Sequence, residues 1–296
     1  MDESIRSREQ LFEFISNKKK LVILTGAGLS AGSGIPTYRD SEGNWLRSEP
    51  IQHQDFISKH SARQRYWLRS FAGWPAVAEA IPSIGHKVLT ELEHRGHVEL
   101  IVTQNIDRLH QKAGSRRVID LHGRLDEVVC LSCKAICSRA SIQQEISAQN
   151  SLLTETGQLA PDGDADVEEQ FMASVVPPRC HQCQGILKPN VVFFGDNVPA
   201  IVVQQVYDAI SECDGLLIIG TSLKVFSGYR FCRHASEIGI PIASINPGRS
   251  RGDELIALQV RAPADDVLGQ LRLQLREGFQ YTPQHVIEGG KPKAQQ

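Results

Sequence analysis

No apolar stretch in the 296 residues approaches the roughly 20 that a membrane-spanning helix needs, so the chain is not expected to enter a bilayer. Charge of one sign is not in excess either. The 32 Lys and Arg against 34 Asp and Glu leave a net charge of −2, which gives no electrostatic reason to expect a nucleic-acid partner. The segment Met1-Asp2-Glu3-Ser4 with its mixed-charge continuation has neither the apolar centre of a secretory signal nor the acid-poor character of a transit peptide. A cytoplasmic location is therefore expected, and the mitochondrial matrix only if a presequence is missing. No internal repeat is found. The seven cysteines do not form a disulfide framework: four fall in two close pairs, and the whole set reads as that of a reducing compartment.

What is present is enough apolar residue for a packed core, 41%, and a length that predicts about two domains. Residues 20–25, 98–103, 117–121, 191–194, 215–219 and 240–245 read as strands, most of them bracketed by helical patterns. That alternation predicts an α/β fold, a Rossmann-like doubly wound parallel sheet with right-handed crossovers. Between 124 and 188 it fails, and a small zinc-binding module inserted there explains the gap. The expected division is 1–35, 96–123 and 189–282 for a large nucleotide-binding domain. Residues 36–95 form the helical part of a small domain, 124–188 the zinc module, and 283–296 a disordered tail.

Leu21-Val22-Ile23-Leu24-Thr25 runs into Gly26-Ala27-Gly28-Leu29-Ser30-Ala31-Gly32-Ser33-Gly34. A glycine turn between a buried strand and a helix start lets backbone approach a pyrophosphate. Taken alone it is equally a tight turn. The spacing is not the Gly-x-Gly-x-x-Gly of hydride-transferring enzymes, and no strand ending in an acid follows about 20 residues later. Ile35-Pro36-Thr37-Tyr38-Arg39-Asp40 reads as a loop instead, so a dinucleotide is expected without ordinary redox use. Cys130/Cys133 and Cys180/Cys183 have the spacing of a tetrahedral Zn²⁺ site. Four protein ligands leave no open position, so the metal is structural. Cys137, four residues on, is an alternative ligand, whereas Cys213 and Cys232 read as buried apolar residues.

Three further segments complete the pattern. Thr103-Gln104-Asn105-Ile106-Asp107-Arg108-Leu109-His110 follows an expected strand; Val118-Ile119-Asp120-Leu121 delivers His122-Gly123; and Leu187-Lys188-Pro189-Asn190-Val191-Val192-Phe193-Phe194-Gly195-Asp196 leaves the second cysteine pair. With Gly220-Thr221-Ser222-Leu223 and Asn246-Pro247-Gly248, these motifs, in this order, resemble the sirtuins, the NAD-consuming protein deacylases. Arg65-Tyr66-Trp67, Phe71-Ala72-Gly73-Trp74-Pro75, Lys112 to Arg117, Leu159 to Asp164 and Val225-Phe226-Ser227-Gly228-Tyr229-Arg230-Phe231 resemble the class II members. Tyr38 stands where many sirtuins carry Phe, which leaves the acyl pocket open in detail.

The resemblance implies that His122 is the general base: the acyl-lysine oxygen attacks C1′ of the nicotinamide ribose, nicotinamide leaves, and His122 activates the ribose hydroxyl that carries the acyl group onward. It implies NAD contacts at Gly26, Ala27, Gly28, Ser30, Ile35, Pro36, Tyr38, Arg39, Gln104, Asn105, Ile106, Asp107, Gly220, Thr221, Ser222, Asn246, Pro247, Gly248 and Ala264. Asn105 and Asp107 are equally good as a helix cap and turn, and Thr221, Ser222 and Asn246 as ordinary strand-to-helix turns. Val191, Val192, Phe193, Phe194 and Gly195 are expected to pair with the substrate peptide by β-addition. Tyr66 and Arg69 lie on one helix face, as in the Tyr-x-x-Arg that holds acidic acyl groups in other sirtuins, or else are a core Tyr beside a solvated Arg. The expected partners are acylated protein lysines as substrate, and the chain itself is expected to be a monomer. Mono-ADP-ribosyl transfer, a non-enzymatic NAD or zinc scaffold and a zinc dehydrogenase are the competing readings.

Overall fold

The computed structural model describes residues 3–38, 50–150, 153, 158–159, 165–166 and 169–276. Arg39, most of the acidic Asp162 to Asp166 region and the tail 283–296 lie outside the described residues.

Six strands form a parallel sheet: β1 (Leu21–Thr25), β2 (Val98–Thr103), β3 (Val118–Asp120), β9 (Gly215–Ile219), β10 (Ile242–Ile245) and β11 (Leu258–Val260). Their order is β11-β10-β9-β1-β2-β3. β1 is buried at every position, and its alternate side chains enter two different cores. Leu21 and Ile23 pack with Leu217, Ile219 and Ile245 under the helices Glu3–Ser16, Ile84–His94 and Ala264–Arg276. Val22 and Leu24 pack with Leu216 and Ile218 under Ala200–Glu212 and Phe226–Glu237. A sheet covered on both faces needs apolar residues at both parities, which is why β1 and β9 read as unbroken apolar runs.

A second, antiparallel sheet has the order β5-β4-β8, from β4 (Gly123–Cys130), β5 (Ile136–Ser138) and β8 (Leu187–Val191); β6 (Gln158–Leu159) pairs with β7 (Ala165–Asp166). The strand expected at 191–194 therefore sits earlier, at 187–191, and outside the parallel sheet. Pairing with β4 decides this: β8 is an edge strand, where Pro189 can lie without a ladder donor being lost. Val192 and Phe193 follow its end. The helix Ile84–His94, grouped in the sequence with the helical segment 36–95, puts Val88, Leu89 and Leu92 into the core of the parallel sheet. Beside the second sheet, the fully buried Arg139 guanidinium lies 5.6 Å from the Trp67 ring and 5.2 Å from that of Trp74, fixing the helix Arg139–Gln149 against His60–Glu79.

Two histidines are buried under the parallel sheet with their rings 4.9 Å apart, His86 beside Ser83 and His110 beside Thr25. Burial pushes His86 down to about 4 and His110 well below its ordinary 6.5. Both folded values lie below the unfolded one, so stability is unaffected by these groups above about pH 6.5 and falls below it, by up to ~1.4 kcal/mol per pH unit for each group, the loss from His86 levelling off at about 4. Urea midpoints should fall between pH 7.5 and 5, and His86→Asn should flatten that dependence. An unchanged slope in the variant would show that other groups carry it.

Candidate functional site

The strand order reverses between β1 and β9, since the chain runs β1-β2-β3 to one side and β9-β10-β11 to the other. Ligands of open α/β sheets bind at such a switch point, outside the carboxyl ends of the strands. The turns after β1 and β9 meet there: Gly26 N donates to Ile219 O at 3.0 Å and Gly28 N to Gly220 O at 2.8 Å. A Cβ on Gly28 would lie 2.8 Å from Gly220 Cα, and Gly220 itself has φ +63, so the pair is glycine because two backbones touch. The amides of Gly26 and Gly28 are spent on β9 and its turn, and that of Gly220 on Ile245 O of β10. What they supply to a ligand is room.

The resulting cavity of about 610 Å³ is of ligand size. Gly26, Ala27, Gly28, Tyr38, Gln104, Asn105, Ile106, His122, Gly220, Thr221, Ser222, Asn246, Pro247 and Gly248 line it, with Tyr66 and Val191 to Gly195 on the side of the small sheet. An adjoining recess is lined by Ser30, Ile35 and Asp107 with Asn105. Pro36 lines neither. Ala264, at the start of the last helix, is not brought to the cavity: it is 3% exposed and packs in the core of the parallel sheet. Arg69 is half-buried one turn beyond Tyr66 and is not among the lining residues.

His122 lies in the turn after β3, one residue beyond Leu121. Its Nδ1 is 2.9 Å from the main-chain oxygen of Gln104, an atom that can only accept, so the proton of the neutral ring is on Nδ1. Nε2 then carries the lone pair, and the Ser227 hydroxyl lies 2.7 Å from it. Burial pushes the imidazole down to about 4, the Gln104 carbonyl opposing. At neutral pH the ring is an uncharged acceptor. Gln104 is held in turn: its N bonds Thr25 O at 2.9 Å, and its Nε2 bonds Thr221 Oγ1 at 3.0 Å.

In the recess, Asn105 Nδ2 donates to Gly26 O at 3.1 Å and to Ser30 Oγ at 2.9 Å, and Ser30 donates onward to Asp107 Oδ2 at 2.6 Å. The other oxygen of Asp107 accepts from Leu109 N at 2.9 Å. Asp107 thus closes a turn ahead of the helix Leu109–Ala113, whose N-cap position is Arg108, and lines the recess as well. Burial raises the Asp107 carboxyl, with the Ser30 bond opposing.

Around the cavity wall the described basic side chains are Lys224, Arg230 and Arg249, against the one acid Asp196. Asp196 is itself engaged, 3.2 Å from His53 and 3.8 Å from Lys188. The cavity is electropositive and suits a pyrophosphate. Lys224, Phe226, Ser227, Arg230 and Arg249 are lining residues that the motifs did not single out as site residues. For Phe226, Ser227 and Arg230 a signal existed, since all three lie in the segment Val225 to Phe231.

The sulfurs of Cys130, Cys133, Cys180 and Cys183 lie within 4.8 Å of one another, with Cys130 to Cys183 at 3.5 Å and Cys133 to Cys180 at 3.6 Å. A tetrahedron with ~2.3 Å Zn–S bonds has edges of about 3.8 Å, so the set fits zinc. Two buried and two exposed thiols close every position. Cys137 is not in the cluster; its sulfur faces Val128 O at 3.7 Å. Cys213 and Cys232 are buried in the apolar core, as expected.

Comparison with known proteins accords with this geometry. The "Sir2 family" model matches residues 26–227. The "NAD-dependent protein deacetylase" of Bordetella bronchiseptica is 46% identical over 273 residues, 92% of this chain and 99% of that one. The "NAD-dependent protein deacetylase 2" of Bradyrhizobium diazoefficiens is 46% identical over 272 residues, 92% of this chain and all of that one (100%). A solved structure described as "Sir2-p53 peptide-NAD+" superposes with a TM-score of 0.71 at 26% identity, covering 91% of this chain and 98% of that one. The matched region runs from the glycine turn to the residue that touches His122, and with relatives that match along nearly their whole length, this chain belongs to the Sir2 family, the sirtuins.

Proposed function

We propose that the chain is an NAD-dependent protein lysine deacylase in which His122 is the general base. The observation that carries this reading is the pair of contacts on the imidazole at the cavity: Nδ1 faces the Gln104 carbonyl, which can only accept, so Nε2 is left as the accepting nitrogen, with the Ser227 hydroxyl beside it. NAD, as co-substrate, supplies a ribose carbon that loses nicotinamide and takes the acyl oxygen. His122 Nε2 takes the proton of a ribose hydroxyl while Nδ1–H stays on the carbonyl, so the ring becomes an imidazolium. The Asn105–Ser30–Asp107 chain offers hydrogen-bonding groups on the nicotinamide side, and Lys224, Arg230 and Arg249 offset the pyrophosphate charge. Val191 to Gly195 form the wall along which an acyl-lysine peptide lies. Relatives named as NAD-dependent protein deacetylases, and a Sir2 structure described with a p53 peptide and NAD+, support the assignment.

Incubation with NAD and a panel of acetyl-, octanoyl-, lipoyl- and glutaryl-lysine peptides should release nicotinamide in step with free lysine. No release with any member would overturn the reading. Mono-ADP-ribosyl transfer uses the same site with a protein nucleophile at C1′; mass gained by the target, rather than acyl lost, would favour it.

The class II reading rests on the Trp67 and Phe71-to-Pro75 segments and on Tyr66, whose ring clusters with those of Phe56 and Phe193 at the proposed acyl end of the cavity. Arg69 is the proposed partner of an acidic acyl group. If its guanidinium reaches that group, Arg69→Met lowers kcat/KM for glutaryl peptides by about 10- to 150-fold and leaves octanoyl peptides nearly unchanged, the worth of a hydrogen bond to a charged group. A uniform fall across acyl groups would make Arg69 structural.

A further inference from the structure

Ser227 has no place in the mechanism above, yet it makes the shortest polar contact of the base. Its Oγ lies 2.7 Å from His122 Nε2 and its side chain lines the cavity. It is the second residue of the helix Phe226–Glu237, whose N-cap position, Val225, provides no side-chain cap.

The placement of Ser227 is tied to that of the base. Thr221 Oγ1 accepts from Leu223 N at 3.2 Å, holding the turn that leads from β9 into the helix, and also accepts from Gln104 Nε2. Gly228, the next residue, is packed so closely on Gln104 that a Cβ there would lie 2.6 Å from Gln104 Oε1. Gln104 therefore acts on His122 twice, once directly and once through the turn that carries Ser227. Its main-chain oxygen holds one ring nitrogen, and its side chain seats the helical turn whose hydroxyl holds the other.

We propose that Ser227 is a positioning residue for the deacylation step, its hydroxyl keeping His122 Nε2 aimed into the cavity and accepting from that nitrogen once it is protonated. This rests on the reading of His122 as the general base. A hydroxyl suits both protonation states. It donates to the neutral ring, because Nδ1 already carries the proton, and it turns about its own C–O bond to accept from Nε2–H of the imidazolium. When the ribose hydroxyl comes to Nε2, a side chain with one rotatable bond can yield and stay within reach. The charged form gains more than the neutral one, since charge-assisted hydrogen bonds are roughly twice as strong. That difference acts in a site where burial already holds His122 down to about 4. The charged groups sharing the cavity are Asp196 after β8 and Lys224, Arg230 and Arg249 beyond β9 and β10; Asp107 lies in the adjoining recess.

The test compares Ser227→Ala and Ser227→Thr with the parent protein, using an acyl-lysine peptide that the parent turns over. Net turnover should fall by about 10-fold or more in the alanine variant, with KM for NAD changed less than about twofold. The acid limb of kcat should move to lower pH, because a base without its acceptor is a weaker base. Exchange of labelled nicotinamide into NAD, which precedes the step that needs the base, should fall much less than turnover. Threonine, which keeps the hydroxyl, should restore turnover and the acid limb. An alanine variant with parental kcat and pH profile overturns the proposal, as does one that is faster. Equal losses of exchange and turnover would make Ser227 structural, and an ADP-ribose adduct on Ser227 by mass spectrometry would make it a nucleophile. His122→Ala separates the two readings: full turnover in that variant defeats the general-base assignment, whereas its loss beside a normal Ser227→Ala defeats only the role of Ser227.

Discussion

His122→Ala should lower NAD-dependent deacylation by about 10²- to 10⁴-fold, the usual contribution of a positioned general base. The imidazole is not a keystone of packing. It is half-buried, and its two partners, the Gln104 carbonyl and the Ser227 hydroxyl, both lie at the cavity, where water can take its place. The thermal midpoint and zinc content should therefore stay close to those of the parent protein. Turnover within a few-fold of the parent would remove His122 from the base role, and a large drop in thermal midpoint would mean that the loss reflects folding. Binding of NAD, followed by fluorescence, should survive the substitution, because the glycine turn, Thr221 and Asn246 are unaffected by it.

The second large effect is on folding. Cys130→Ser should abolish zinc binding and unfold the β5-β4-β8 region, since Cys130 ends β4 and is fully buried among Val128, Ile142 and Leu187. Structural Zn²⁺ contributes roughly 10–16 kcal/mol of apparent binding free energy at neutral pH. That is as large as the ~5–15 kcal/mol stability of a whole domain. Metal analysis should fall from one zinc per chain to none, with a large loss of thermal midpoint and of activity. Val191 ends β8 and Val192 to Gly195 follow it, so this wall of the cavity should be lost with the metal. Cys137 should give no rescue, because its sulfur faces Val128 O on β4 and not the cluster. A stable, active, metal-free Cys130→Ser/Cys183→Ser protein would show that the pairs are not a zinc site.

Much of this was legible in the chain because the physics behind it is local. A strand buried on both faces has to be apolar at both parities, and Leu21 to Thr25 and Gly215 to Ile219 announce that with no knowledge of their neighbours. Two cysteines with two residues between them offer both sulfurs to one ion from a single turn. A glycine run between a strand and a helix marks close backbone approach, although only the fold reveals that Gly28 approaches Gly220.

Tertiary structure alone decided whatever depends on a partner far away in sequence. The extended segment after the second cysteine pair has the composition of a strand from Leu187 to Phe194, and pairing with β4 selected 187–191. The helical pattern at 84–94 is amphipathic wherever it lies; burial against Leu21, Ile23 and Ile101 put it under the parallel sheet. Asp107 reads as a cap, a turn or a site residue; its bond to Leu109 N makes it a turn residue, and the 2.6 Å bond from Ser30, 77 residues earlier, fixes it in the recess beside the cavity. Ala264 has no chemistry of its own to place it, and packing under the sheet kept it from the cavity. Ser227 stood in the sequence among residues that mark a subclass. Its meeting with His122 across 105 residues needed β9, Gln104 and Gly228 in place, because a hydrogen bond of 2.7 Å is set by the backbones that carry its two ends.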